Sequence, residues 1–151
     1  MREAKILNMG IMSRIIKQST LTCIRNPQGD IFHALKSTDR EFQGFGEVYF
    51  SQINYGCIKA WKRHLKMTLN LVCPVGKVKF AFFTDKLGYE SAIIGKENYK
   101  RLTVPPGVWF GFQGMERPFS LIMNVADILH DPKEIERKKL DSMSFPTERL
   151  S

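Results

Sequence analysis

Turn-forming clusters interrupt this chain about every 8–12 residues, and the runs between them alternate apolar with polar side chains. In GEVYFSQINYG, Glu47, Tyr49 and Ser51 fall on one side and Val48, Phe50 and Gln52 on the other. In KVKFAFFTD, Val78, Phe80 and Phe82 share a face. Strands this short, this numerous and this regularly punctuated close into a sandwich or a barrel. The expected fold class is therefore all-β. At 151 residues the chain fits one domain, and 43% hydrophobic content is enough for a core.

Residues 1–18 read as a loose lead-in or short helix, 19–140 as the barrel, and 141–151 as a loose tail. TLTCIRN is a short strand stopped by the turn Asn26-Pro27-Gln28-Gly29-Asp30. IFHALK is extended, STDREFQGFG is a loop, and CIKAWKRH with MTLNLVCP forms one long strand or two joined by a bend. SAIIG is a short strand, and KRLTVPPGVWFGFQG and PFSLIMNVADIL supply the last strands. HDPKEIERKKL opens on Asp131-Pro132 with acidic residues in its first turn, which predicts a short C-terminal helix.

The formal net charge of +8 favours anionic partners. The run Arg137, Lys138, Lys139 reads as a solvated helix face. No nucleic-acid-binding signature is present, so no nucleic acid is expected. Cys23, Cys57 and Cys73 form no CxxC pair and read as packed, reduced thiols. Without a convincing signal peptide or a run long enough to span a bilayer, the expectation is a cytoplasmic protein with no membrane insertion.

Charge in the middle of a strand is the chemically informative feature. Over 58–72, Lys62, His64, Thr68 and Asn70 can share one face, with Trp61, Arg63, Met67, Leu69 and Leu71 on the other, provided the Leu65-Lys66 step keeps the phase. A polar row inside a barrel needs water or a ligand to satisfy it. Glu47 and Tyr49 offer a second polar row, and Trp109 after Pro105-Pro106-Gly107 is a candidate rim platform. His33 can join the cluster through HALK, whereas His130 beside Asp131 reads as structural. KRH followed by LKMTLN contains no HxH pair, and protonated Lys62 is a poor ligand, so no metal is expected. There is no GxSxG elbow, P-loop or HExxH motif.

The order of these pieces resembles the sugar-nucleotide 3,5-epimerase family, typified by dTDP-4-dehydrorhamnose 3,5-epimerase. The likeness runs over roughly residues 20–135: the Gly29-Asp30 turn, an aromatic strand, a Gly and a basic motif, Val75-Gly76, Asp85, LTVPPGVWFGF and the Asp-Pro turn. It implies a cupin, or double-stranded β-helix (jelly-roll), fold, a homodimer, no cofactor, and a nucleoside-diphosphate sugar as substrate. Lys59 stands where the family has Arg, Lys62 where it has the catalytic His, and His64 where it has Gln. Asn70 replaces a Lys, Phe110 a second His, and the family's tyrosine falls near Met123-Asn124. The usual catalytic His and Tyr are thus both replaced.

Epimerisation beside a ketone needs a base, an enolate stabiliser and an acid for the opposite face. His64 is the best base by intrinsic pKa. Lys62 stabilises the enolate, or acts as base if burial lowers its pKa. Tyr49 is the candidate acid. Lys59, Lys36 and Arg63 are candidates for the diphosphate, and Trp109 for stacking. His33, Glu47, Asn70 and Asn124 complete the candidate ligand shell. The function expected is proton abstraction next to the ketone of a nucleotide-linked 4-keto-6-deoxy sugar, in deoxysugar or surface-polysaccharide biosynthesis. Two alternatives stand beside it: a non-catalytic cupin that binds a sugar nucleotide, and a keto-isomerase.

Overall fold

In a computed structural model that describes residues 14–147, the alternating runs become strands. In chain order they are β1 (Lys17–Thr20), β2 (Cys23–Ile24), β3 (Ile31–Phe32), β4 (Glu47–Asn54), β5 (Ile58–His64) and β6 (Leu69–Val75). There follow β7 (Lys77–Thr84), β8 (Gly88–Gly95), β9 (Lys100–Val104), β10 (Trp109–Gly114), β11 (Phe119–Ala126) and β12 (Ile135–Arg137). One five-stranded sheet has the order β1-β9-β6-β11-β4, and a second has β12-β5-β10-β7-β8. Every pairing within them is antiparallel. Consecutive strands β4, β5 and β6 alternate between the sheets, which gives the jelly-roll barrel its crossovers.

The inward residues of both sheets meet in one core. Ile53, Leu69, Leu71, Val78, Phe80, Phe82, Ile94, Leu102 and Ile122 are buried there. Phe80 and Phe82 stack 6.1 Å apart. Burying side chains of this size stabilises by about 1.5–3 kcal/mol each. At the turn that carries the chain from β6 to β7 in the other sheet, Gly76 has φ +85°, and a Cβ there would lie 2.2 Å from Ser120 Oγ. That hydroxyl bridges the Lys77 N–H and C=O, each at 3.0 Å, so the turn admits only glycine.

Several local expectations are corrected. The helix expected over HDPKEIERKKL is replaced by a 3-10 turn, Pro132–Glu134, capped by Asp131, then by extended chain as β12 against β5, with a second 3-10 turn, Leu140–Ser142, starting at its last residue. Glu134 is buried at the end of the first turn, its carboxylate accepting the Leu65 and Lys66 N–H groups, and Ile135 is already extended. Lys17 and Gln18 belong to β1 rather than to a lead-in, and residues 1–13 lie outside the described residues. The tail is not loose up to residue 147. Met143 and Phe145 pack against Trp61, whose Nε1 donates to the Met143 carbonyl at 3.3 Å. Only Cys73 of the three thiols is packed in the core, where burial pushes it up to about 12; Cys23 is half-buried and Cys57 exposed.

Candidate active site

Between the sheets lies a cavity of about 420 Å³. Leu69, Leu71, Ile122, Phe80, Phe110 and Phe112 form its apolar floor. Tyr49, Ser51 and Asn124 line it from one sheet, and Lys59, Lys62 and Arg137 from the other.

A defect in strand pairing sets the basic wall. Phe110 pairs with Lys62 and Phe112 with Lys59, so three steps along β5 oppose two along β10. The extra residue is a β-bulge, which shifts the alternation by one. Lys59 and Lys62, three apart, therefore both reach the cavity. Gly111 makes room for the bulge: a Cβ there would lie 2.4 Å from the Ala60 Cβ.

Lys62 is half-buried, with its Nζ 5.6 Å from the centre of the Phe110 ring. Burial holds its amine below the ordinary value, and the Arg137 guanidinium on the adjacent strand pushes the same way against the weaker pull of Glu134. Burial pushes the Tyr49 phenol up, so it stays protonated at neutral pH. Tyr49 Oη accepts a hydrogen bond from Asn124 Nδ2 at 3.0 Å. That bond turns the phenolic proton away from Asn124 and leaves it for another acceptor. Asn124 is fixed in turn by its Oδ1, which accepts the Asn70 N–H at 3.1 Å. Lys59 Nζ donates to the Gln52 carbonyl at 2.7 Å.

Of the residues anticipated from sequence, Tyr49, Lys59, Lys62 and Asn124 meet at this cavity. The others do not line it. His64 is buried at 3% exposure, stacked on Phe110 at 6.2 Å, with Nδ1 2.5 Å from Glu134 Oε1. Burial lowers its pKa by more than Glu134 raises it, so His64 is the neutral donor to that carboxylate. Burial also acts to raise Glu134, but its bonds from His64 and from backbone N–H groups outweigh this and keep it ionised. Asn70 lies on the far side of β6, accepting from Thr103 Oγ1 at 2.7 Å, because the Leu65-Lys66 step carries the chain into the other sheet and breaks the phase. Arg63 points outward, 2.5 Å from Glu136 Oε2 and 4.6 Å from the Trp109 ring. Trp109 is no rim platform: it is buried on the outer side of β10, between Arg63 and Lys138, and its neighbour Phe110 takes the inward position. His33 and Lys36 line a separate recess of about 190 Å³ beside Arg101. Glu47, at the start of β4, is half-buried outside the cavity lining.

Sequence reasoning missed Phe110, Phe112, Ser51, Glu134 and Arg137. The alternation of EVYFS does place Ser51 with Tyr49, and that signal was available. Arg137 carried no such signal, since its basic run is equally compatible with a solvated helix. Among the described residues no cluster of three or more His, Cys, Asp or Glu is arranged to hold a metal ion. No helix among them is long and apolar enough to cross a membrane.

No protein-family model matches the chain. A probable low-salt glycan biosynthesis epimerase of Haloferax volcanii is 24% identical over 121 residues, covering 75% of this chain and 78% of that protein. The crystal structure of dTDP-4-dehydrorhamnose 3,5-epimerase from Sulfolobus tokodaii superposes with a TM-score of 0.78 at 16% identity, over 93% of this chain and 86% of that one, a likeness of fold. The dTDP sugar isomerase of Desulfovibrio desulfuricans G20 superposes with a TM-score of 0.80 at 33% identity, over 84% of this chain and 85% of that one. On that identity, carried across the whole barrel, the chain belongs to the cupin-fold dTDP-sugar isomerase family.

Proposed function

We propose that the protein is an isomerase-class enzyme that epimerises a nucleotide-linked 4-keto-6-deoxy sugar, with Lys62 as base and Tyr49 as acid. The observation that carries this reading is their placement. Lys62 stands on β5 and Tyr49 on β4, in different sheets, and both face one aromatic-floored cavity. Epimerisation removes a proton from one face of a ring carbon and returns one to the other, so it needs two groups set apart in this way.

The lowered pKa of Lys62 raises the fraction of free amine, which accepts the proton α to the ketone. The ammonium so formed, with Lys59 nearby, offsets the charge on the enolate oxygen. Tyr49 gives its proton to the opposite face, and the phenolate and ammonium are reset by exchange with water. Asn124 orients the phenol. Phe110, Phe112 and Phe80 exclude water and offer flat apolar surface to the sugar or base. His64 is no longer the base in this reading, because it does not reach the cavity and its Nδ1 is committed to Glu134. The homodimer and the cytoplasmic location anticipated from sequence remain part of the proposal. The exposed Val48 and Phe50 on edge strand β4 favour association with a second copy.

The test is to incubate the protein with dTDP-4-keto-6-deoxyglucose in deuterated water and follow the sugar by NMR. Deuterium is expected at carbons 3 and 5, with inversion. Unchanged substrate across a panel of nucleotide-linked 4-keto sugars would favour the non-catalytic binder. A carbonyl moved within the ring would favour the keto-isomerase.

A further inference from the structure

We propose that Arg137 is a phosphate ligand of this cavity, carried by a C-terminal strand that the Glu134–His64 pair latches to the barrel. The proposal rests on the sugar-nucleotide reading and assigns a residue that holds the substrate's diphosphate.

The register of β12 on β5 sets Arg137 directly opposite Lys62. Like charges facing each other across two strands are unfavourable unless an anion lies between or above them. No carboxylate lines the cavity beside them: the lining holds Lys59, Lys62, Arg137 and Lys138, and neither Asp nor Glu, and the pull of Glu134 on Lys62 is weaker than the push of Arg137. The two acidic residues closest in sequence are engaged elsewhere. Glu136 is paired with Arg63 at 2.5 Å on the outer side. Glu134 is buried against His64. Lys138 turns its Nζ outward over Trp109, 4.6 Å from the ring. Arg137 is thus the cation that the strand presents at the rim. Its planar guanidinium matches phosphate oxygens in a bidentate way that an ammonium does not.

The strand is held at both ends. At one end Glu134 Oε2 accepts the N–H groups of Leu65 at 2.8 Å and Lys66 at 3.0 Å, while Oε1 takes His64 Nδ1. The Glu134 carbonyl also accepts the Leu65 N–H at 2.9 Å. At the other end Trp61 and Lys138 exchange backbone hydrogen bonds of 3.0 and 3.1 Å. Backbone fixed this firmly places Arg137 at the cavity before a ligand arrives, so that only its side chain remains to be ordered on binding. Glu134 and His64 are then positioning residues, acting through Arg137 rather than on the substrate.

Calorimetric titration with inorganic pyrophosphate and with TDP tests this without any need for turnover. Arg137→Gln should weaken both ligands roughly 10–100-fold, as loss of a charge-assisted hydrogen bond does. It should also flatten the salt dependence of binding, while the melting temperature stays at the wild-type value. Arg137→Lys should restore part of the affinity. Glu134→Gln, if it folds, should reproduce the loss by loosening the strand. If wild type binds neither pyrophosphate nor TDP, or if Arg137→Gln binds them as wild type does, the phosphate role is wrong. A folded Glu134→Gln protein with unchanged affinity would remove the latch. Failure of solvent exchange in the wild type, with Arg137-dependent pyrophosphate binding intact, would sink the enzymatic reading and leave this one standing.

Discussion

Lys62 and His64 lie two residues apart on β5, and the barrel gives them opposite surroundings. Lys62 faces a cavity whose lining contains no carboxylate, beside a second cation from β12. His64 sits at the strand's end with its ring against Phe110 and its Nδ1 on a buried Glu134. A basic group without an acidic partner, partly removed from water, favours its neutral form and awaits an anion or an acidic proton. A group matched to a buried carboxylate has its hydrogen bond already made and contributes to holding the fold. Intrinsic pKa alone would choose His64 for chemistry. The proposed reading, from the environment, takes Lys62 instead.

Removing the cavity-facing member should have the largest effect. Lys62→Met, which keeps the stem and deletes the amine, is expected to lower kcat for solvent exchange by about 10²–10⁴-fold, the usual worth of a general base. Its urea midpoint should stay close to that of wild type. A Lys62→Met enzyme with full exchange activity would reverse the contrast drawn between the two residues.

Breaking the buried pair should instead show in stability. Glu134→Ala is expected to cost about 3–5 kcal/mol in urea denaturation, because it strands His64 and the Lys66 N–H, which both lose the carboxylate. The pH dependence sharpens the point. His64 is held below its ordinary value of 6.5, so the unfolded chain binds the proton more readily. Its contribution is complete above about 6.5 and is lost as pH falls below that, through the folded value. Glu134, held below 4.5, adds a second loss in more acid solution. Wild type should therefore soften in two steps on acidification, and His64→Gln should lack the upper one. A single step shared by both proteins would mean that His64 is already charged in the fold.

Arg63 gives the smallest effect. It bridges to Glu136 on the outer side, with side-chain exposures of 27% and 42%. After allowance for solvent screening, Arg63→Gln should cost no more than about 1 kcal/mol and leave kcat/KM unchanged. A drop in kcat/KM would place Arg63 with Lys62 rather than on the outer face.

The alternation within GEVYFSQIN was enough to put Tyr49 and Ser51 on one face, since a strand's side-chain period is two. The same rule failed over 58–72. The bulge opposite Gly111 shifted the phase at Ala60-Trp61, and the Leu65-Lys66 step moved the chain between sheets. The two irregularities separate Asn70 from Lys62, and the bulge lets Lys59 join it. Trp109 was misplaced for a related reason. The Pro-Pro-Gly turn marks where β10 begins but does not say which residue of it faces in, and one step separates Trp109 outside from Phe110 inside.

The amino-acid sequence by itself determined an all-β barrel, because short alternating runs between glycine and proline turns bury their apolar side only by closing sheets on one another. It also determined that an unusual set of basic groups lies on β5. The tertiary structure alone decided which of those groups face the cavity, and it brought Arg137 and Glu134 to β5 from seventy or more positions along the chain. The physical reason is that strand phase, bulges and the docking of β12 depend on contacts between distant segments. A pattern read along one strand contains none of these.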